Sequence, residues 1–339
     1  MSKKSRSKNL TIVFVILLAA ILIFNYFESR KGERTFRKEV VSIDTAKITS
    51  IKIYSEIKAL KPAKGHVNIV RTDNSWRIKN DSIDAQVDNR KIKAILTYLV
   101  SMKPDRVSSI EKSDWKKFQV TDSLAVRVKV FNNKKCLTDF YIGKYLYKKP
   151  KVKRFDNSGS LYTYVRLADE DIVYCVQGFL KMSFTTDIRM LRDKNLLKLK
   201  KHSINKLNFS FPDNSSYSVI KQNNKWLIGD KETDSLTTDK YINSLINLTN
   251  SNFIKDENKI KLSNPDYILK VEGDNFKPQI IKAFKTDDGK IILTSSRNKG
   301  SKFDGDKLDL FKRIFVEKQS FFEKSKDSKK SKNMRKKKK

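Results

Sequence analysis

The run Leu10–Phe27, LTIVFVILLAAILIFNYF, carries no charge and is apolar at nearly every position. A helix of this length rises about 27 Å, against a hydrocarbon core about 30 Å thick that ~20 apolar residues normally cross. A helix is the only form in which a single segment satisfies its own backbone in lipid. The sequence therefore predicts a transmembrane anchor. Asn25 interrupts the run near its end, where Tyr26 and Phe27 suit the membrane interface. The basic start MSKKSRSK would also fit a signal peptide. However, Asn25-Tyr26-Phe27-Glu28 offers no small-x-small cleavage site, and no Cys follows directly for lipid attachment, so the anchor is read as uncleaved.

Charge alone does not orient the anchor. Lys3, Lys4, Arg6 and Lys8 precede it, and Arg30, Lys31, Arg34, Arg37 and Lys38 follow it. Long domains translocate largely regardless of charge, and a short basic tail is easily retained, so the N-terminus is placed in the cytoplasm and the bulk beyond the inner membrane. The expected layout is a cytoplasmic tail (1–9), the anchor (10–27), a charged stalk (28–42), a first folded unit (43–187), a second (188–323) and a basic tail (324–339).

Two units are expected because an order of elements recurs. Alternating runs at Ile48–Ser55, Val67–Arg71 and Trp76–Ile78 read as hairpin strands. Asp88 is a candidate N-cap for a helix whose Ile92, Ile95, Leu96, Leu99 and Met102 share one face, ended by Pro104. A short strand at Val107 follows, then a turn with Trp115 and Phe118, then strands at Val126–Val130, Leu137–Ile142, Tyr162–Arg166 and Ile172–Val176. The polar, basic stretch from Lys144 to Gly159 is expected to be a long exposed loop. The second round has strands around Leu207 and Val219, and Trp226-Leu227-Ile228 where Trp76-Arg77-Ile78 stood. Then come a helix opened by Thr238 or Asp239, Phe253-Ile254 in the place of Val107, and strands at Tyr267–Val271, Gln279–Phe284 and Ile291–Ser295. A terminal helix carries Leu308 to Phe315. The fold class expected is α+β, two copies of one unit, each an antiparallel sheet with one main helix and its Trp as a core anchor.

The net charge of +35 admits two explanations: lysines solvated all over the surface, or a dedicated surface for anionic partners. The densest basic run is the tail Lys324–Lys339. Cys136 and Cys175 fall in strands expected to be separated by another strand, too far apart to bridge, and are read as buried free thiols.

Several strings resemble the bacterial domain of unknown function family 4340. They are Trp76-Arg77-Ile78, Trp115-Lys116-Lys117-Phe118, Tyr141-Ile142-Gly143-Lys144, Tyr164-Val165-Arg166, Ile172-Val173-Tyr174 and, above all, Arg189-Met190-Leu191-Arg192-Asp193-Lys194-Asn195-Leu196-Leu197. The similarity runs from about Ile48 to beyond Ile254. It implies a membrane-anchored envelope protein, encoded beside an ABC transporter of the gliding-motility type and accessory to it. The family has no catalytic residues to carry over. The long basic tail and the Lys-rich loop near Lys148 depart from its pattern.

Reactive chemistry has little footing in the sequence. His66 and His202 are the two histidines, each beside a strand start and without ligands at metal spacing. Neither G-x-S-x-G nor H-E-x-x-H occurs. Gly143-Lys144 lacks a preceding Gly-rich loop and reads as a strand end, and the acidic Asp169–Asp171 reads as a hairpin tip. No enzyme activity, cofactor or metal is expected. Two places draw attention. Lys148, Lys149, Lys151, Lys153 and Arg154, among Tyr145, Tyr147 and Phe155, form a candidate anion contact for lipid head groups, envelope polysaccharide or nucleic acid, the last with no motif behind it. Arg189, Arg192, Asp193 and Lys194, where one unit passes into the next, form a candidate inter-domain ion-pair cluster. The leading expectation is a non-catalytic scaffold for transporter subunits, and the second is a membrane-tethered binder of anionic polymer.

Overall fold

The computed structural model describes residue 17 and residues 37–57, 66–73, 75–149, 159–213 and 215–324. The anchor segment, Leu17 apart, lies outside the described residues, as do Lys151, Lys153, Arg154 and the tail beyond Lys324. Among the described residues no helix is long and apolar enough to cross a membrane.

The first nine strands are β1 (Ser50–Ser55), β2 (His66–Thr72), β3 (Ser75–Lys79), β4 (Asp84–Gln86), β5 (Pro104–Ser109), β6 (Val126–Asn132), β7 (Lys135–Lys148), β8 (Ser160–Leu167) and β9 (Val173–Gln177). They form a nine-stranded sheet in the order β4-β3-β2-β1-β6-β7-β8-β9-β5. The next eight are β10 (Ile204–Ser210), β11 (Tyr217–Gln222), β12 (Lys225–Ile228), β13 (Lys231–Glu232), β14 (Tyr267–Gly273), β15 (Gln279–Lys285), β16 (Ile291–Ser295) and β17 (Lys302–Asp304). They form an eight-stranded sheet, β13-β12-β11-β10-β14-β15-β16-β17. In both, the first four strands run outward one way, and β6 to β9 or β14 to β17 run outward the other, with β5 added at the far edge of the first sheet. The register even preserves a side-chain pair: Arg71 faces Trp76 across β2–β3, and Lys221 faces Trp226 across β11–β12. The cation of each pair stands over its ring, at 5.8 Å and 6.0 Å from the centroid. In the place of β5, which pairs with β9, Phe253 makes an isolated bridge to Phe303 of β17.

The described residues divide into two compact units, drawn from 1–48, 53–66 and 94–186 on one side and from 49–52, 67–93 and 187–339 on the other. In the second, Leu207, Phe209, Val219, Trp226, Ile242 and Phe303 belong to one buried cluster. In the first, Phe118, Val120, Tyr141, Tyr164, Val173 and Cys175 form a cluster on one face of the sheet. β8 and β9 are buried over consecutive residues, not alternate ones, so both of their faces are covered.

Helix α1 (Asn89–Val100) begins as its sequence signals: the Asp88 carboxylate accepts the Arg90 N–H at 2.7 Å. Helix α2 (Ser235–Leu245) starts earlier than expected. Its cap is Asp234, which accepts the Thr237 N–H at 2.9 Å; the first turn, Ser-Leu-Thr, lacks the apolar spacing that marks the rest. Four further expectations are corrected. The stretch from Lys144 is strand as far as Lys148, because Tyr145, Leu146 and Tyr147 alternate across β7. Gly143 lies inside that strand, at a register shift between Ile142 and Tyr145, and does not end it. Trp76 is only half-buried, whereas Trp226 is in the core. The terminal helix shrinks to Leu310–Ile314, because Leu308 and Asp309 adopt left-handed backbone just before it.

Cys136 on β7 and Cys175 on β9 have β8 between them, and both are free. Cys175 is buried as expected, but Cys136 is exposed, near the hairpin end of β7.

Candidate functional site

Of the basic residues singled out by sequence, the described ones, Lys148 and Lys149, lie at the end of β7, which pairs with β8. Lys148 ends β7 opposite Ser160, and Lys149 is exposed just beyond it. Alternation sorts the strand into two faces. Leu146 turns toward the aromatic cluster with Tyr162 and Tyr164. Lys144 and Lys148 share that parity, and their ammonium groups stand 6.0 Å from the Phe118 ring and 5.8 Å from the Tyr162 ring. Tyr145 and Tyr147 point to the opposite face and are exposed.

The second cluster is split by the structure. Arg192 and Glu257, with side chains 2% and 0% exposed, form a two-pronged ion pair at 2.6 and 3.0 Å. Arg192 also donates to Ser301 Oγ at 2.8 Å, and its guanidinium lies 3.6 Å from the Phe253 ring centroid. Glu257 Oε2 accepts a further N–H from Lys302 at 3.0 Å. Asp193 is buried, pairs with Arg297 at 3.4 Å, and caps the turn to Asn195 at 3.0 Å. The Asp193 carbonyl accepts Asn298 Nδ2 at 2.7 Å. Arg189, in contrast, is exposed and folds back onto Asp187 at 3.0 Å, and Lys194 is half-buried. Arg192, Asp193 and their partners all belong to the second unit. The backbone beside them is tied in as well, since Asp193 N–H donates to Gln86 O and Asp88 N–H to Leu191 O. Chemically this is a clamp: both terminal nitrogens of the Arg192 guanidinium and both oxygens of the Glu257 carboxylate are held by fixed neighbours, and Arg192 Nε is buried without a partner among the described residues.

A third arrangement was not signalled by spacing. Arg166 is buried, its guanidinium 3.6 Å from the Trp115 ring centroid and 4.2 Å from that of Tyr141. It donates to the carbonyls of Leu167 at 2.9 Å and of Val120 and Glu170 at 3.3 Å. Burial pushes its pKa down, against the pull of Tyr141. Burial first, and then the hydrogen bond it donates to Asp122 at 2.6 Å, push the Tyr141 phenol up to about 12. The Phe118 and Tyr164 rings meet at 4.6 Å, and a Cβ on Gly143 would collide with the Phe118 carbonyl. Three of the strings carrying the family resemblance, at Trp115–Phe118, Tyr141–Lys144 and Tyr164–Arg166, thus converge on one knot. The signal that would have found it is that an Arg alternating with aromatics on a buried strand needs a cation–π or carbonyl partner.

Concave surfaces are present in both units. In the first, a cleft of about 680 Å³ runs between residues 39–43 and Cys136–Asp139. In the second, one of about 690 Å³ is lined by Phe211, Tyr217, Tyr267 and Phe311, with Asp213 and Glu317 among its polar lining. Among the described residues no group of three or more His, Cys, Asp or Glu is placed to hold a metal ion.

The sequence pattern of the family described as "Domain of unknown function (DUF4340)" matches residues 76–265. That is more than half of the chain, and the chain belongs to this family. No curated protein and no solved structure matches it.

Proposed function

We propose that this is a single-pass protein of the inner (cytoplasmic) membrane, held by Leu10–Phe27 with its N-terminus in the cytoplasm, and that its sheet units act beyond the membrane as a non-catalytic scaffold for an ABC-type transport complex. The observation that carries the reading is the uncharged run of spanning length directly ahead of the folded residues. The shared strand order of the two sheets supports an origin as two copies of one unit, which offers a partner two related surfaces. The test is in-cell crosslinking followed by purification from membranes. Reproducible recovery of transporter subunits is expected, and repeated recovery of none contradicts the scaffold role.

A second reading is favoured by the β7–β8 hairpin, where Lys148 and Lys149 adjoin exposed tyrosines. Here the chain is a membrane-tethered binder of anionic polymer or lipid. Retention on a polyanion resin should fall steeply as salt rises, because released counterions drive such binding. Retention indifferent to salt dismisses this reading.

A further inference from the structure

The exposed face of the β7–β8 hairpin is more than a basic loop. Tyr145 and Tyr147 are 57% and 49% exposed, and Leu161, the register partner of Tyr147, is 36% exposed. The face is extended by the chain that follows β9. The Gly178 N–H donates to the Leu161 carbonyl at 2.7 Å, which carries Phe179 alongside, and the Phe179 ring meets that of Tyr145 at 5.1 Å. One turn on, the Met182 N–H donates to the Phe179 carbonyl, and the Met182 side chain is 54% exposed. Only Leu180 of this turn is fully buried, beneath it, where its N–H reaches the Thr163 hydroxyl. Five large exposed side chains are thus gathered on the hairpin and the turn after β9, with Tyr145 and Phe179 in ring contact and Tyr147 opposite Leu161, all within the first unit. Contiguous exposed apolar surface of this kind marks an interaction site.

The charge on the described chain that carries the patch is of one sign. Residues 143–149, GKYLYKK, hold three basic residues and no acid. The stretches 159–167 and 172–186 that complete the face hold no acid either. Asp105, on the neighbouring β5, is already paired with Arg106 at 2.8 Å. A protein partner of matching shape would be held by specific contacts. An apolar patch of Tyr, Leu, Phe and Met with Lys149 and Lys181 beside it instead has the composition of a surface that lies on a bilayer. Tyrosine rings sit at head-group level, the apolar side chains reach the acyl boundary, and ammonium groups meet lipid phosphates.

We propose that Tyr145, Tyr147, Leu161, Phe179 and Met182, with Lys149, form a membrane-contact face that lays the first unit on a bilayer of anionic phospholipid. This rests on the second reading above and narrows its ligand to lipid.

The experiment uses the full chain carrying Tyr145→Trp or, separately, Met182→Trp, mixed with vesicles of phosphatidylcholine alone or with phosphatidylglycerol, some brominated in the acyl chains. The parent chain supplies the baseline, and far-UV circular dichroism confirms folding of each variant. In the phosphatidylglycerol vesicles the new tryptophan should be quenched above baseline, and far less so in phosphatidylcholine alone. Adding Lys149→Gln should weaken the contact about fivefold, the effect of one basic charge at an anionic surface, whereas Lys148→Gln, on the opposite face, should change it little. A chain that fails to float with anionic vesicles, or floats with both tryptophans unquenched, overturns the proposal. If such a chain is still retained by a polyanion resin in a salt-dependent way, the second reading stands and only the lipid assignment falls. If retention is also absent, both fall.

Discussion

The clearest mechanical test of the fold is the buried pair Arg192–Glu257. Both side chains are almost fully out of water, at 2% and 0% exposure, and the pair is closed by two hydrogen bonds. Removing water from both charges already costs several kcal/mol per ion, repaid only while each has its partner. Glu257→Gln keeps the size and removes the charge, leaving the guanidinium buried against Phe253 and Ser301 without its counter-charge. Breaking one side of such a pair costs about 3–5 kcal/mol, a large fraction of the ~5–15 kcal/mol that holds a typical domain together. Arg192→Met should cost as much, because it strands the carboxylate with only the Lys302 N–H. The double variant Arg192→Met/Glu257→Leu removes both charges and should lose less than either single change. Urea unfolding of the four proteins, followed by intrinsic fluorescence, gives the coupling energy directly. Single variants within about 1 kcal/mol of the parent, or a double variant as weak as the sum of the singles, would refute the reasoning.

Other expectations follow from the knot in the first unit and from the cysteines. Gly143→Ala should destabilise by about 1–3 kcal/mol in urea unfolding, since its Cβ would meet the Phe118 carbonyl and lie 2.8 Å from Val120 Cγ1; an unchanged midpoint would mean the strand yields there. Tyr141, held up to about 12 by burial and by Asp122, should keep its proton in the folded state where the unfolded chain, with a tyrosine pKa of about 10, loses it. The folded state then binds more protons between those two values, so stability falls as pH rises through that window. Tyr141→Phe should make the fall shallower, and an equally steep fall would count against the assignment. A thiol reagent should label Cys136 quickly and Cys175 only on unfolding, given their exposure; two fast thiols would contradict the packing of β9.

Much of the sheet architecture could be read in the chain because its apolar positions alternate cleanly. Ile51 and Ile53, Val128 and Val130, and Leu269 and Val271 all point inward as their spacing demands. The helix after Asp88 was legible from its cap and its apolar face. What escaped were features fixed by contacts distant in sequence. The start of α2 depends on Asp234 because its first turn has no apolar signature. The exposure of Cys136 follows from its place near the hairpin end of β7, and the half-burial of Trp76 is an outcome of packing that no local pattern encodes. In the candidate sites, the charge cluster at Arg189–Lys194 was visible as a string. Its partner Glu257 was not, because it lies far along the chain in a polar segment. The basic hairpin was visible as lysines, while the apolar face beside it needed Phe179 and Met182 brought in by the turn after β9. Arg166 lies in the short string Tyr164-Val165-Arg166, but its two rings come from separate segments and meet only in the fold.

The proposed placement in the membrane depends most on the anchor. The direct measurement is carbonate extraction of membranes from cells expressing the full chain with a C-terminal tag, followed by protease treatment of cells stripped of their outer envelope. The chain should stay in the membrane pellet with its N-terminal residues intact, and the tag should be digested from outside. A chain released by carbonate, or a tag protected inside the cell, would contradict the membrane-anchored reading.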